Sequence, residues 1–141
     1  MPATEDLRTI ATALSLSGSG VATDEVLNSG GGFEHVWYTM QLTMGSATSV
    51  VMSMQLMNEA GEFKDYYDAD GGKIIQTFTA DFDGTRMFGN DTPVGNRQSP
   101  PPMVAHGFCF RFVGTPTINT ATVTMSVYGW RHERVIHGAY R

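Results

Sequence analysis

The chain has 141 residues, of which only 16% are charged, and its formal net charge is −5. This length fits a single domain, and the acidic balance argues against a general nucleic-acid binder, because phosphate contacts need clustered Lys and Arg. We expect no membrane span, because no apolar run approaches the needed length. The acidic start predicts no secretory signal, and the single cysteine excludes an intrachain disulfide.

Six stretches alternate apolar and polar residues with a period of two, which is typical of strands with one buried face. The composition, with 16 Thr, 9 Ser and 16 Gly, also favours strands and turns over helices. The only place for a helical turn is residues 4–8. In chain order, the predicted strands are 8–16, 35–44, 49–57, 74–82, 104–113 and 121–130.

These patterns predict an all-β fold. A single open sheet could not bury six such faces, so we expect two antiparallel sheets packed face to face, or one closed sheet. Glycine-containing turns separate the strands. The segment 45–48 between the second and third predicted strands favours an antiparallel hairpin.

Two segments interrupt this regular pattern. Residues 83–103 form a predicted long loop that contains Pro100-Pro101-Pro102. Loops beyond about 12–15 residues are often functional, and consecutive prolines favour an extended conformation that binds at low entropic cost. Residues 131–141 carry a formal charge of +2, against −7 for the preceding 130 residues. The sequence therefore predicts a β-sandwich domain over 1–130, including the loop, and a basic, aromatic arm over 131–141.

No motif predicts a cofactor or a metal site. His132 and His137 are five residues apart, whereas the zinc-protease motif requires a spacing of four on a helix. In the segment 68–71 the glycine comes two positions too early for a calcium loop, so Asp65, Asp68 and Asp70 are interpreted as turn residues.

No motif predicts catalysis either. Cys109 lies between Phe108 and Phe110, which favours a structural role for the thiol, and no nucleophile elbow is present. A catalytic pair of carboxylates for glycoside cleavage stays open, because residues that meet only in the folded chain are not visible in the sequence. We expect a protein without enzymatic activity.

Several residues are candidates for contact with a protein partner, because interfaces are depleted in Lys and enriched in aromatic residues and Arg. Trp37 and Trp130 suit either the core or a contact surface. Met57 and Val51 have the parity opposite to the core positions and would suit an interface if that face were exposed. The candidate partner-binding residues are Arg131, His132, Arg134, His137, Tyr140, Arg141, Pro100, Pro101, Pro102, Tyr66 and Tyr67.

Three stretches resemble small virion proteins of tailed phages that have a jelly-roll or immunoglobulin-like β-sandwich, most of all capsid decoration (cement) proteins. They are RTIATALSLSG at 8–18, SATSVVMSMQL at 46–56 with the hairpin region 58–65, and FRFV at 110–113 with TATVTMSVYGW at 120–130. Such relatives often have a Gly-Ser-x-Asp-Gly-x-x-Trp segment after the second core strand, where this chain has residues 58–63 instead.

The resemblance implies a jelly-roll-like sandwich, with an immunoglobulin-like order as the alternative. It also implies a non-enzymatic structural protein that is made in the host cytoplasm and sits on the capsid exterior. There it would bind the major capsid protein or other virion subunits, as a homo-oligomer with a trimer favoured, and stabilise the shell.

Two other functions stay open. A tail-tube or neck subunit of a phage would form rings, with the long loop inserted between neighbours. A carbohydrate-binding sandwich would use Trp37, Tyr66, Tyr67 or Trp130 to stack on sugar rings.

Overall fold

The computed structural model describes residues 3–27, 35–67, 71–87 and 107–132, with side chains described for 8–27, 37–67, 71–86 and 107–127. Within these ranges the regular structure is all β, as predicted, and no helix is present that could cross a membrane. The strands are β1 (Ala3–Ser15), β2 (Val21–Ala22), β3 (Val26–Leu27), β4 (His35–Thr43), β5 (Ser49–Met57), β6 (Phe63–Asp65), β7 (Ile75–Phe78), β8 (Phe82–Met87), β9 (Gly107–Thr115) and β10 (Thr122–His132).

The strands form two antiparallel sheets, which confirms the predicted sandwich. The first sheet has four strands in the order β1-β10-β4-β8. The second sheet has six, in the order β2-β9-β5-β6, with β3 also paired to β9 and β7 also paired to β5. β2 and β3 lie one after the other along the same edge of β9, and β6 and β7 do so along β5. Each sheet is therefore four strand positions wide.

The chain changes sheet at six of the nine connections between the described strands, and the change after β4 corrects the hairpin predicted at 45–48. β4 lies in the first sheet and β5 in the second, so the two strands face each other instead of pairing. The connection is held from two sides, because the Met44 N–H donates to Asp81 Oδ1 (2.8 Å) and the Thr48 N–H donates to the carbonyl of Thr115 (2.7 Å). Crossing between layers lets the apolar faces of both strands cover one another.

The core lies between the two inner faces and follows the predicted alternation. One buried hydrogen bond joins the layers, since the Tyr38 hydroxyl donates to Gln76 Oε1 at 2.7 Å. The central strands contribute Tyr38, Met40 and Leu42 from β4, Val50, Met52 and Met54 from β5, Phe108, Phe110 and Phe112 from β9, and Val123, Met125 and Val127 from β10, all at most 2% exposed.

Several predicted boundaries differ from the structure. The helical turn predicted at 4–8 is part of β1, which pairs with β10 from Ala3 onward, because an edge strand can carry polar residues on both sides. The strand predicted at 74–82 is split into β7 and β8, which belong to different sheets. The loop predicted at 83–103 begins later than expected, because 83–87 lie in β8. β10 continues through Arg131 and His132, the first two residues of the predicted arm.

Candidate interaction surface

The two outer faces of the sandwich differ in chemistry. On the first sheet, one row across all four strands consists of Thr9, Ser126, Thr39 and Thr85. Hydroxyl groups pair along this row, at 3.1 Å between Thr9 and Ser126 and 2.9 Å between Thr39 and Thr85. This row is neutral and hydroxylated, and three of its four side chains are exposed.

The outer face of the second sheet carries half-buried apolar side chains. Val51 of β5 lies directly opposite Val113 of β9, and both are half-buried. At the end of the same face, Met57 lies opposite Phe63, and the pairing of β3 with β9 puts Leu27 on the far side of β9. The parity of Met57 and Val51 predicts an interface role only if their face is exposed, and in the structure this face is partly exposed.

We call Leu27, Met57 and Phe63 the apolar row. Leu27 is 48% exposed, and Met57 and Phe63 are half-buried. Gly107 sits between β3 and β5, and a Cβ there would lie 3.0 Å from Leu27 Cδ2. The missing side chain at Gly107 therefore lets Leu27 lean over β9 toward Met57.

A polar network lies beside the apolar row on the same face. The Cys109 thiol donates to Gln55 Oε1 (3.8 Å), Gln55 Nε2 donates to Asp65 Oδ1 (3.0 Å), and Lys73 Nζ lies 3.2 Å from Asp65 Oδ2. The Gln55 hydrogen bond and then Lys73 lower the pKa of Asp65 below its ordinary value. These contacts fix the orientation of the polar groups on this face.

The Cys109 thiol is protonated at neutral pH. Burial, followed by the nearby Glu25 carboxylate, raises the pKa of Cys109 to about 11. Since the thiolate is the nucleophilic form, this environment does not activate the sulfur for chemistry. Among the described residues, no three His, Cys, Asp or Glu side chains are grouped so that they could hold a metal ion.

Acidic side chains border the apolar row. Glu25 is exposed two residues from Leu27, and Glu59 and Glu62 are exposed in the turn that leads to Phe63. Lys64 Nζ lies 3.8 Å from Glu62 Oε1, with both side chains largely exposed. The apolar row is thus bordered by more negative than positive charge.

The opposite end of the sandwich is a tightly bonded group of loops with one exposed apolar tip. Ile118 is 78% exposed. Its neighbour Asn119 is buried, donates to the carbonyls of Pro116 (2.8 Å) and Leu16 (3.3 Å), and accepts from the Ala121 N–H (2.9 Å). These hydrogen bonds hold the loop in one conformation, so Ile118 stays on the surface.

The structure separates the two adjacent tyrosines among the predicted partner-binding residues. Tyr66 is half-buried and packs against the core, and its N–H donates to the carbonyl of Met54 (3.0 Å). Tyr67 is 54% exposed. Only Tyr67 therefore presents most of its surface to solvent.

The remaining predicted partner-binding residues are at the end of β10 or outside the described residues. Arg131 pairs with Thr4, and His132 pairs with Ala3, on the edge strand β1. The residues outside the described ranges are Arg134, His137, Tyr140, Arg141, Pro100, Pro101 and Pro102, together with Asp68 and Asp70 of the calcium alternative.

The strand ends that flank residues 28–34, 88–106 and 133–141 lie at one end of the sandwich. Leu27 pairs with Gly107 in the second sheet. In the first sheet, Met87 pairs with Trp37 near the start of β4. β10 pairs with the start of β4 at His35 and ends two residues later at His132. The predicted loop and the predicted arm therefore start from the end that carries the apolar row.

The sequence contains no pattern that predicts Leu27, Phe63 or Ile118 as surface residues. Leu27 and Phe63 belong to strands of two and three residues, which are too short to show a period of two. Ile118 lies in a loop between β9 and β10. A large apolar residue inside a Pro- and Thr-containing turn was the only signal for it.

Comparisons with known proteins show which solved structures share the fold, but they do not assign the chain to a family. No protein family and no curated protein matches this sequence. Among solved structures, the SPBc2 prophage-derived protein YomS is 14% identical with a TM-score of 0.45, and the match covers 93% of this chain and 96% of that one.

Structures of infectious bursal disease virus also match. The VP2 subviral particle is 13% identical with a TM-score of 0.50, covering 99% of this chain and 35% of that one. The Gx strain structure is 11% identical with a TM-score of 0.51, covering 95% of this chain and 33% of that one. This chain therefore spans about a third of those chains, and the likeness shows a shared β-sandwich fold.

Proposed function

We propose that this protein is a structural subunit of a viral particle, and more specifically a non-enzymatic capsid decoration (cement) protein of a phage. It binds the outer capsid surface through protein–protein contacts, and its partner is the major capsid protein or another virion subunit. The observation that carries the proposal is the outer face of the second sheet, where half-exposed apolar side chains lie beside charges that are already paired. The sandwich in the VP2 subviral particle of infectious bursal disease virus supports it as a viral use of this fold.

The strand order supports a jelly-roll assignment. Immunoglobulin-like sandwiches keep consecutive strands such as A and B paired in one sheet, whereas here β1, β4, β8 and β10 alternate with strands of the second sheet along the chain. We assign the order to two Greek keys, which is the jelly-roll arrangement common in viral capsid domains.

The size of the outer face sets the strength of the contact. Four strand positions about 4.8 Å apart and nine residues at about 3.3 Å give a face of roughly 570 Å². A stable interface buries about 800 Å² on each partner. One face is therefore a weak contact by itself, and it suits a protein that binds as a multimer or adds contacts from its loop and arm.

The charge distribution fits a position outside the shell. Residues 1–130 carry −7, which is unfavourable next to packaged DNA. The +2 segment 131–141 suits contact with an acidic neighbour. A trimer on the capsid exterior is the arrangement that we propose.

The test compares matched substitutions on the two outer faces. Val51→Asp puts a charge on the apolar face, and Thr39→Asp puts the same charge on the hydroxylated face of the first sheet. We expect Val51→Asp to abolish co-sedimentation with shells of the proposed partner, a major capsid protein, and Thr39→Asp to keep it. Circular dichroism of both variants is the control for retention of the β-fold.

A third variant tests the arm. Deleting 133–141 leaves β10 intact, because the strand ends at His132, and we expect weaker capsid binding. Equal binding by all variants would overturn the proposed face and arm. Rings or tubes of the pure protein in negative-stain images would instead support the tail-tube or neck function.

A second candidate function is glycan binding on the first sheet. Trp37 is half-buried and alternates with Tyr38, which points inward. It therefore lies on the outer face, two residues from Thr39 and four from the exposed Gln41. An aromatic ring beside hydrogen-bonding side chains suits a sugar. Binding on a glycan array that is lost in Trp37→Ala would support this function.

A further inference from the structure

We propose that residues 133–141 of one copy bind the apolar row, formed by Leu27, Met57 and Phe63, on a second copy of this chain. The proposal rests on the proposed function, because the contact would link neighbouring copies of a structural subunit. It follows from the length, charge and apolar content of that segment compared with the described surface.

The spacing of apolar groups matches. The row spans three strand separations, from β3 across β9 and β5 to β6, which is about 14 Å. In the segment Glu133-Arg134-Val135-Ile136-His137-Gly138-Ala139-Tyr140-Arg141, the apolar residues Ile136 and Tyr140 are four positions apart. An extended chain separates such residues by about 13 Å. The segment can therefore place apolar side chains at both ends of the row.

The charges match as well. The exposed carboxylates of Glu25, Glu59 and Glu62 border the row, and Lys64 lies beside Glu62. The segment contributes two arginines and one glutamate. Because the charges are exposed, we expect them to favour the encounter and to be screened by salt, with apolar burial providing most of the affinity.

The distance favours a second copy over the same molecule. β10 ends at His132 in the first sheet, whereas the row lies on the outer face of the second. Crossing the sandwich covers the sheet separation of about 10 Å and a layer of side chains, which uses about five extended residues. These include Val135 and Ile136, so docking within one molecule would leave both off the row.

The first measurement is self-association of the full chain by sedimentation equilibrium. We expect the arm variant Val135→Ser/Ile136→Ser and the row variant Phe63→Ser each to weaken association about tenfold. The control Ile118→Ser removes an exposed apolar side chain at the opposite end and should leave association unchanged. Higher salt should weaken association of the wild-type protein and of the arm variant alike, because the variant keeps Arg134 and Arg141.

The second measurement locates the contact by NMR of ¹³C-methyl methionine in the full chain. The Met57 methyl signal should shift as protein concentration rises, and this shift should disappear in Val135→Ser/Ile136→Ser. The signal of the buried Met125 provides a reference, since this side chain is fully covered in the core.

Three results would overturn the proposal. They are a monomeric wild-type protein, association that the arm variant leaves unchanged, and a Met57 shift that the arm variant removes but dilution does not affect. The last would mean that the arm docks on its own molecule. Capsid binding is measured separately, so a decoration protein whose arm does not bind the row remains distinguishable from a chain that binds no capsid.

Discussion

The buried hydrogen bond between Tyr38 and Gln76 provides a quantitative test of how the two sheets are held together. Tyr38 is fully buried, Gln76 is 5% exposed, and the donor and acceptor lie 2.7 Å apart. Tyr38→Phe removes the donor and leaves Gln76 Oε1 without it. An unsatisfied buried polar group costs about 1–3 kcal/mol, which for a domain of this size lowers Tm by about 3–10 °C.

The assay is urea unfolding followed by tryptophan fluorescence, arranged as a double-mutant cycle. Gln76→Met should also destabilise the protein, because the Tyr38 hydroxyl then loses its acceptor. The double variant Tyr38→Phe/Gln76→Met should be more stable than the sum of the single effects predicts, since no unpaired polar group remains. Thr39→Val is the control on the exposed face, with an expected change within about 0.5 kcal/mol. Additive losses, or a Tyr38→Phe variant as stable as the wild type, would refute a hydrogen bond that bridges the sheets.

Three further predictions concern single positions. Gly45→Ala should lower the free energy of unfolding by more than about 1 kcal/mol in urea titrations, because Gly45 has φ +56° and an added Cβ would meet the backbone and hydroxyl of Thr120. An unchanged midpoint would contradict this loop geometry. Cys109 should resist iodoacetamide at pH 8 in the folded protein and react in urea, since burial raises its pKa to about 11; rapid labelling of the native protein would contradict the burial. The lowered pKa of Asp65 means that its stabilising contribution is present above its ordinary pKa of 3.8 and is lost as the pH falls through the folded value. Gln55→Leu, which removes the main cause of that shift, should make stability less dependent on pH below about 4, and an identical acid profile would argue against the hydrogen bond.

Alternation predicted the long strands well because each has one inner and one outer face over its whole length. The predicted strand 49–57 coincides with β5, and the prediction for 35–44 ends one residue beyond β4. Burial of one face requires alternating side chains, so the period of two appears directly in the sequence. The same parity argument placed Met57 and Val51 on the face opposite to the core positions.

The candidate surface was predictable only in part. Leu27 and Phe63 complete the apolar row from very short strands, and they reach Met57 only because β3 and β6 pair with β9 and β5. Pairing between strands far apart in the chain leaves no local pattern. Tyr66 and Tyr67 are adjacent residues of the same type, yet Tyr66 packs on the core and Tyr67 is exposed.

The sequence by itself determined the all-β class, the long strands and the contrast between an acidic body and a basic C-terminal segment, because composition and alternation are local properties. Tertiary structure alone decided which strands share a sheet. The apolar residues Ile74, Phe78 and Phe82 suggest one continuous strand, but the chain turns after Phe78 and enters the other layer at Phe82. The same turn residues allow a hairpin or a crossing, and only the mutual burial of two apolar faces selects between them.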